Sequence, residues 1–149
     1  MTKTISKKVM IEKVLEYMEA NRLMSLGTSL KDKPWLATVF YVSDEKMNIF
    51  FYSREDTRHC VNIAKNTNVS VVINHTWKYP DGKEKAIQLA GKASKVSKSD
   101  YARCYKMYKK LFTRADEFKS DHILYVIKPT EVWYLDEKLF GHFNRVRAI

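Results

Sequence analysis

The sequence predicts a mainly β protein of the α+β class, with a small antiparallel sheet that nearly closes into a barrel and helices packed outside it. Segments rich in β-branched and aromatic residues outnumber the segments with helical periodicity. Tight turns join most of these strands, which favours antiparallel pairing. The chain has four glycines and no G-x-G-x-x-G or Walker-type loop, so a parallel nucleotide-binding sheet is not expected.

Length and composition indicate one globular domain over residues 1–149. The chain carries 27 Lys and Arg against 17 Asp and Glu, and 45% of its residues are hydrophobic. A domain of this size buries roughly 68–70% of its unfolded surface and needs no metal or disulfide to fold. Cys60 and Cys104 form no C-x-x-C pair, the first residues hold no secretory apolar segment, and no apolar run reaches the ~18 residues of a membrane span. The expected location is a reducing cytoplasm, with no membrane partner.

The first elements are predicted to be a helix and a hairpin. Ser6–Arg22 places apolar side chains at helical spacing between Glu and Lys residues, which predicts an amphipathic helix. Leu23–Leu30 and Trp35–Val42 are rich in β-formers, and residues 31–34 between them have the composition of a turn. After a second turn, Met47–Tyr52 adds a third antiparallel strand.

The middle of the chain combines a short helix with two strands. Asp56 or Thr57 is suited to cap the start of this helix. The strand Val69–Asn74 follows the helix. A longer strand is predicted over Ala86–Val96, where Gly91 indicates a β-bulge or a close approach of another backbone.

The last third of the chain is predicted to hold a second helix and two more strands. The helix opens at Asp100 and runs to Phe112, with tyrosines on one face and Lys and Arg residues on the other. The strands His122–Ile127 and Glu131–Leu135 are separated by a turn at residues 128–130, which contains a proline.

Positive charge is concentrated between Lys83 and Lys119, where eleven Lys and Arg stand against four acids and supply +7 of the net charge of +10. Such a stretch could attract nucleic acid, an acidic partner or phosphorylated small molecules. A solvated helix face explains the same charges. Because the sequence holds no recognised nucleic-acid motif and no basic and aromatic sheet signature, nucleic acid is the disfavoured partner.

A candidate anion site lies where the third strand ends and the short helix begins. Ser53 ends the strand, and Thr57, Arg58 and His59 occupy the first turn of the helix. Hydroxyls, a guanidinium, an imidazole and free backbone N–H groups can converge there, and phosphate is the anion that suits them. An ordinary capped helix with a solvent-exposed Arg58 explains these residues equally well, so both interpretations stay open at this point.

Four segments of the chain match, in order, the pattern of a known family. They are P-W-L-A-T-V-F-Y-V at 34–42, N-I-F-F-Y-S at 48–53, T-R-H-C-V-N-I-A-K-N-T-N-V-S-V-V-I at 57–73 and I-Q-L-A-G-K-A at 87–93. Together they resemble the FMN-binding split barrel of the pyridoxamine 5'-phosphate oxidase-like superfamily, over roughly residues 15–136, and above all its branch of small bacterial proteins. The most specific part is the succession of a strand, S-x-x-x-T-R-[HK], a helix and N-x-x-V-S-V-V.

The resemblance implies a six-stranded Greek-key barrel that forms a two-fold homodimer, with FMN in a groove between the subunits. The serine, threonine, arginine and histidine of the anion site match the phosphate-binding positions of the family. Residues 37–42 would run along the edge of the flavin ring, Tyr52 would lie beside the ribityl chain, and Gln88 would reach the flavin from the partner subunit. The implied cofactor-binding residues are Ala37, Thr38, Val39, Phe40, Tyr52, Ser53, Thr57, Arg58, His59, Gln88 and Trp133.

Two departures from the family pattern bear on function. No Arg-x-His motif follows Trp133, which argues against the oxidation of pyridoxamine 5'-phosphate itself. His59 stands where many members of the family have Lys. Since an imidazole is charged only below its pKa, about 6.5 when unperturbed, the phosphate site is expected to weaken at alkaline pH.

The expected function is that of an FMN-dependent oxidoreductase acting on a small anionic molecule, with NAD(P)H as a candidate electron donor. No side chain identifies itself as a general acid or base, so no catalytic residue is named, and the chemistry would belong to the flavin. The alternatives are a non-catalytic module that holds flavin or heme, and a nucleic-acid-binding protein. No metal site is expected, because His75, His122 and His142 have no second ligand at metal-like spacing.

Overall fold

The computed structural model describes residues 4–142 and 144–149. This part of the chain contains eight strands, four α-helices and one 3₁₀ helix. None of its helices has the length and apolar character needed to cross a membrane. In chain order the elements are α1 (Lys7–Ala20), β1 (Leu23–Leu30), β2 (Lys33–Phe40), β3 (Val42–Ser43), β4 (Ile49–Arg54), α2 (Arg58–Lys65), β5 (Asn68–Asn74), β6 (Lys85–Lys95), α3 (Lys98–Leu111), the 3₁₀ helix (Ala115–Phe118), β7 (His122–Asp136), α4 (Glu137–Phe140) and β8 (Arg145–Arg147).

All the described strands belong to one antiparallel sheet. Its main path runs β2-β1-β5-β6-β7-β4-β3, and β8 pairs with β7 beside this path. The sheet curls until β2 and β4 approach each other without sharing a ladder, so the barrel is split on that side. The antiparallel split-barrel class is therefore confirmed. The strand count of six is wrong, because the short strands β3 and β8 join the six longer ones.

The main hydrophobic core fills the inside of the barrel. Side chains alternate between the two faces of a strand, and the inward positions Leu26 of β1, Val71 of β5 and Ile87 of β6 are buried. Helix α1 adds Val14 and Met18, which are both fully buried against this core. The amphipathic pattern of the first helix is thus explained by its packing on the barrel.

A second core lies between α3 and the outer face of the sheet. Phe51 of β4 points into the barrel, whereas its neighbour Phe50 packs outside with Cys104 and Tyr108 of α3. The helix begins earlier than predicted, at Lys98 rather than Asp100. Its N-cap is Ser97, whose Oγ accepts a hydrogen bond from the backbone N–H of Asp100, and this capping bond sets the first turn.

Helix α2 is held on the sheet by a buried polar contact. The side-chain amide of Asn62 donates a hydrogen bond of 3.0 Å to the hydroxyl of Thr28 on β1, and both residues are buried. Cys60 and Ile63 supply the apolar side of the same helix. Because a buried amide without a partner is costly, the Asn62 bond fixes the position of α2 and hence of the residues at its start.

The two strands predicted at 122–127 and 131–135 are one continuous strand, β7. Pro129 was expected to break them apart, yet it pairs with Gly91 of β6. On its other side β7 pairs with β4 only over 122–127 and with β8 only over 133–135. On that side no described strand pairs with Pro129, and a strand tolerates proline where one of its ladders is missing.

The turn of the first hairpin is shorter than the predicted segment 31–34. Only Lys31 and Asp32 form it, with φ of 50° and 61°, while Lys33 and Pro34 already belong to β2. Two successive residues with positive φ are the signature of a tight two-residue hairpin turn. Pro34 is accommodated because β2 is an edge strand.

Candidate functional site

Three of the four predicted anion-site side chains come together at the start of α2. The Nε2 atom of His59 lies 2.8 Å from the Oγ of Ser53 and 3.3 Å from the Oγ1 of Thr57. Thr57 is the N-cap of α2, where its Oγ1 accepts from the Cys60 N–H at 3.4 Å and donates to the Arg54 carbonyl at 2.9 Å. We call Ser53, Thr57 and His59 the α2 cluster.

Burial controls the charge of the imidazole in the α2 cluster. His59 is half-buried, and the loss of hydration lowers its pKa below the ordinary 6.5, because burial penalises the charged form. At neutral pH the ring is therefore neutral. A phosphate dianion beside the ring would raise the pKa of His59, because it favours the charged imidazole, which donates hydrogen bonds from both nitrogens.

Arg58 lies next to the α2 cluster but outside its hydrogen bonds. Its guanidinium carbon is 4.2 Å from the centre of the Trp35 ring on β2, which is a cation–π contact. The side chains of successive residues project from an α-helix about 100° apart around its axis, so those of Arg58 and His59 project in different directions. In this structure Arg58 is thus held by Trp35 rather than by the α2 cluster.

The predicted flavin-edge residues lie on β2, which forms one end of the main sheet path. Thr38 and Phe40 are exposed, Ala37 is half-buried and Val39 is buried, as expected from alternation along a strand. One side of this strand has no ladder partner in the described residues. An edge strand presents free N–H and C=O groups, which can pair with a planar ligand that carries donors and acceptors along one edge.

Phe40 and Tyr52 also form part of the wall of an aromatic cleft of about 460 Å³ between β2, β4 and the end of α3. Phe40 lies 5.4 Å from Phe112 and Tyr52 lies 5.6 Å from Tyr108, measured between ring centres. Burial raises the pKa of Tyr52 and raises that of Tyr108 to about 12, so both phenols stay neutral. The cleft is further lined by Leu111, Thr113, Arg114, Ala115, Phe118 and His122.

Gln88 and Trp133 lie elsewhere on the sheet. They are direct cross-strand partners on β6 and β7, Gln88 is exposed, and the Trp133 Nε1–H donates to Glu131 Oε1 at 2.6 Å. Ser53 pairs with Ile123 of β7, ten residues before Trp133. Within one chain the structure thus places these two residues apart from the α2 cluster.

Comparison with known proteins identifies the family. A family model described as pyridoxamine 5'-phosphate oxidase matches residues 10–136, most of the chain. The chain belongs to the pyridoxamine 5'-phosphate oxidase family. None of the curated proteins matches the sequence.

Solved structures share the fold of this family member at low sequence identity. An FAD-binding protein from Mesorhizobium loti is 17% identical with a TM-score of 0.68, over 89% of this chain and 93% of the other. General Stress Protein 26 from Bacillus anthracis is 19% identical with a TM-score of 0.66, over 93% and 98%. A heme-binding protein from Mycobacterium smegmatis is 16% identical with a TM-score of 0.74, over 97% of this chain but 59% of the other. The chain therefore spans about three fifths of the mycobacterial protein.

The cleft residues of α3 and the 3₁₀ region are ones that sequence reasoning did not assign to a site. The aromatic face of α3 was visible in the sequence, and it predicts an apolar helix face that packs on a sheet. Part of this face stays open as a cleft, and Phe40 of β2, which lies beside Phe112, forms the opposite wall. This long-range contact leaves no local signal in the sequence.

The basic stretch from Lys83 to Lys119 is partly ion-paired on the surface of this family member. Six of its eleven cations form ion pairs with acids within the described residues. Arg103 pairs with Asp100, and both Lys109 and Lys119 pair with Asp116. These pairs support the solvated-face interpretation of the charge rather than a nucleic-acid surface.

Proposed function

We propose that this member of the family binds FMN and acts in the cytoplasm as a flavin-dependent oxidoreductase on a small anionic molecule. The observation that carries the proposal is the α2 cluster, since hydroxyl and imidazole groups beside free helix N–H groups suit a phosphate. The acids next to it are already engaged: Asp56 pairs with Arg54, and Glu55 pairs with Lys95. The donor set therefore fits an incoming phosphate with no competing carboxylate among its members.

The surfaces next to the α2 cluster fit the rest of the cofactor and a substrate. The free edge of β2 at Ala37–Phe40 offers backbone groups to the pyrimidine edge of a flavin. The aromatic cleft between Phe40 and Tyr52 gives a planar substrate a place against the ring. Arg114 at its wall is paired with Glu117 at 2.8 Å, so an anionic group of the substrate would replace Glu117 as the partner of this guanidinium. The cleft thus connects the proposed cofactor to the proposed substrate.

The proposed working form is a homodimer in which the partner completes the site. Gln88 and Trp133 lie too far along the sheet to share a ligand with the α2 cluster of the same chain. Large apolar side chains are exposed on β1 and β2 next to the site, including Leu36, which is 69% exposed, and Phe40. Exposed apolar side chains of this kind mark interaction surfaces, which supports a shared site between two copies.

Bound FMN would supply hydride or electron transfer, with NAD(P)H as the proposed donor. The protein's part is to hold the phosphate at the α2 cluster, to hydrogen-bond the ring along β2 and to exclude water from the aromatic cleft. Pyridoxamine 5'-phosphate itself is not the proposed substrate, because the Arg-x-His motif that follows Trp133 in enzymes acting on it is missing here.

A heme-binding module on the same barrel is the second candidate, and His122 favours it. This residue lines the aromatic cleft, and its Nδ1 lies 2.6 Å from Asp121 Oδ1. A histidine that binds a metal through one nitrogen commonly donates the other N–H to a carboxylate. The heme-binding neighbour has the same fold, so heme is tested beside flavin.

The visible spectrum of the purified protein separates these candidates. The flavin proposal expects stoichiometric flavin absorption in the blue and near ultraviolet, either on purification or after addition of FMN. A colourless protein that takes up no FMN contradicts it. A Soret band on addition of hemin that is lost in His122→Ala supports the heme module instead. If FMN binds, turnover of NAD(P)H with an electron acceptor distinguishes an enzyme from a carrier.

Arg58→Ala tests the phosphate end of the proposed site. Loss of a charge-assisted hydrogen bond to the phosphate should weaken FMN binding by about 1.5–3 kcal/mol, measured by quenching of flavin fluorescence. Lys65→Ala is the control, because it removes a positive charge from an exposed side chain at the other end of α2 and should change affinity by less than about 0.5 kcal/mol. Equal affinities for the two variants would reject the role of Arg58.

A further inference from the structure

A second pocket lies at the opposite end of the barrel from the α2 cluster. It has a volume of about 390 Å³, is open to solvent and is lined by the end of α1, the connection from β5 to β6 and helix α4. On β7, Ile123 pairs with Ser53 and Asp136 pairs with Lys85. These two positions are thirteen residues apart, which is about 40 Å of strand at about 3.3 Å per residue. The pocket is therefore separate from the proposed flavin site.

Three lysines line this pocket, and no acid is among its lining residues. Lys85 lies on the same face of β6 as the buried Ile87 and Leu89, which directs it to the mouth of the barrel. Lys83 joins it from the β5–β6 connection and Lys138 from α4. In the part of the chain that the structure describes, neither Lys83 nor Lys138 takes part in an ion pair.

The acids adjacent to these lysines in sequence form hydrogen bonds with other groups of the protein. Two hydrogen bonds join Glu84 and Glu137, and in the first of them the Glu137 N–H donates to the Glu84 carbonyl at 2.9 Å. The Glu84 N–H in turn donates to the Glu137 carboxylate at 3.2 Å. Asp136 lies 4.0 Å from Lys85 Nζ, and its carboxylate also accepts from the Tyr134 hydroxyl and the Leu139 N–H. Asp136 therefore offsets the charge of Lys85, and Lys83 and Lys138 are the cations left for a ligand.

A hydrogen-bond chain fixes a histidine in the same pocket. The Tyr17 hydroxyl donates to the Lys85 carbonyl at 2.9 Å and lies 2.8 Å from the Nδ1 of His75. Burial raises the pKa of Tyr17 to about 12, so the phenol keeps its proton and gives it to the carbonyl. His75 Nδ1 must then be the donor to Tyr17, and the other ring nitrogen, Nε2, donates to an oxyanion in the protonated form of the ring.

We propose that this pocket binds a small phosphate monoester. Lysine ammonium groups bind phosphate as point charges, without the planar bidentate geometry that an arginine fork gives. A volume of about 390 Å³ leaves room for an organic group beyond the phosphate. The proposal does not rest on flavin binding, because none of its residues belongs to the α2 cluster or to the aromatic cleft.

Nuclear magnetic resonance of the full chain tests the proposal, with glycerol 3-phosphate as the probe and glycerol as the neutral control. The ring signals of His75 and His59, assigned through His75→Gln and His59→Gln, report on the pocket and on the α2 cluster separately. The proposal expects a saturable shift of the His75 signal with glycerol 3-phosphate and none with glycerol. A probe that shifts only the His59 signal, or neither signal, overturns the pocket.

A double variant shows whether the lysines are responsible. The double variant Lys83→Ala with Lys138→Ala should raise the dissociation constant for glycerol 3-phosphate, measured from the His75 signal, by about tenfold or more. Lys7→Ala with Lys8→Ala removes the same charge from exposed positions at the start of α1 and should change affinity less than about twofold. Thermal unfolding verifies that both variants are folded. Equal losses in the two variants would mean general charge attraction and would refute a built site.

Discussion

At the scale of single residues, His59 decides how the α2 cluster responds to pH. Its imidazole is hydrogen-bonded to Ser53 and half-buried, and burial holds its pKa below 6.5. A bound phosphate dianion would raise that pKa, so binding takes up a proton in the range between the free and the bound values. Affinity is therefore highest below the free pKa and falls as the pH rises through the bound pKa.

We expect the affinity for FMN, relative to that of His59→Lys, to fall several-fold as the pH rises from 5.5 to 8, because the imidazole loses its proton in this range while the lysine keeps its charge. Fluorescence titrations across this range measure it. The second ionisation of the phosphate itself, near pH 6, affects both proteins equally and cancels in the ratio. His142→Gln, a change at an exposed histidine on the far side of the chain, should keep the wild-type profile. A pH-independent ratio would exclude His59 as a phosphate ligand.

At the scale of elements, the bulge in β6 shows where local sequence signals are sufficient. Gly91 was predicted to mark a bulge or a close backbone approach, and both are present. The register with β7 shifts between Ala90 and Gly91, and a Cβ at position 91 would lie 2.6 Å from the Lys128 carbonyl oxygen. The contact is with backbone, so no side-chain rotation can relieve it.

Gly91→Ala should therefore lower the free energy of unfolding by about 1–3 kcal/mol, the usual cost of forcing an extra carbon into a packed site. Urea denaturation measures the change. Ser94→Ala, at an exposed position of the same strand, is the control and should stay within about 0.5 kcal/mol of the wild type. A Gly91→Ala protein as stable as the control would show that β6 and β7 can separate at the bulge without cost.

The elements also show why part of the fold was beyond sequence reasoning. The bounds of β1 and the existence of α1, α2 and α3 follow from periodicity and capping residues, which are local signals. The continuity of β7 through Pro129 depends on which neighbouring strands stop before that residue. For the same reason the α2 cluster, built within seven residues of chain, was predictable, whereas the aromatic cleft between Phe40 and Phe112 was not.

At the scale of the whole molecule, the exposed apolar face of β1 and β2 needs a physical explanation. Leu23 pairs with Phe40, and Leu36 lies across from Gly27, so these three large side chains share the outer face of one hairpin. Leu23 is 47% exposed, Phe40 is 55% exposed and Leu36 is 69% exposed. An apolar group of this kind on a strand at the edge of a sheet invites another chain. A second copy of this protein is the occupant that the proposed shared flavin site requires.

Leu36→Asp tests this arrangement, because a carboxylate at the centre of an apolar interface loses its hydration without gaining a partner. Sedimentation velocity should show a dimer dissociation constant raised by at least about tenfold, and FMN affinity should fall with it if Gln88 and Trp133 of the second copy complete the site. Val9→Asp, which places the same charge on an exposed apolar position of α1, should leave both quantities unchanged. A Leu36→Asp protein that remains dimeric removes this face from the interface. One that becomes monomeric and still binds FMN as tightly as the wild type shows that each chain holds the cofactor alone.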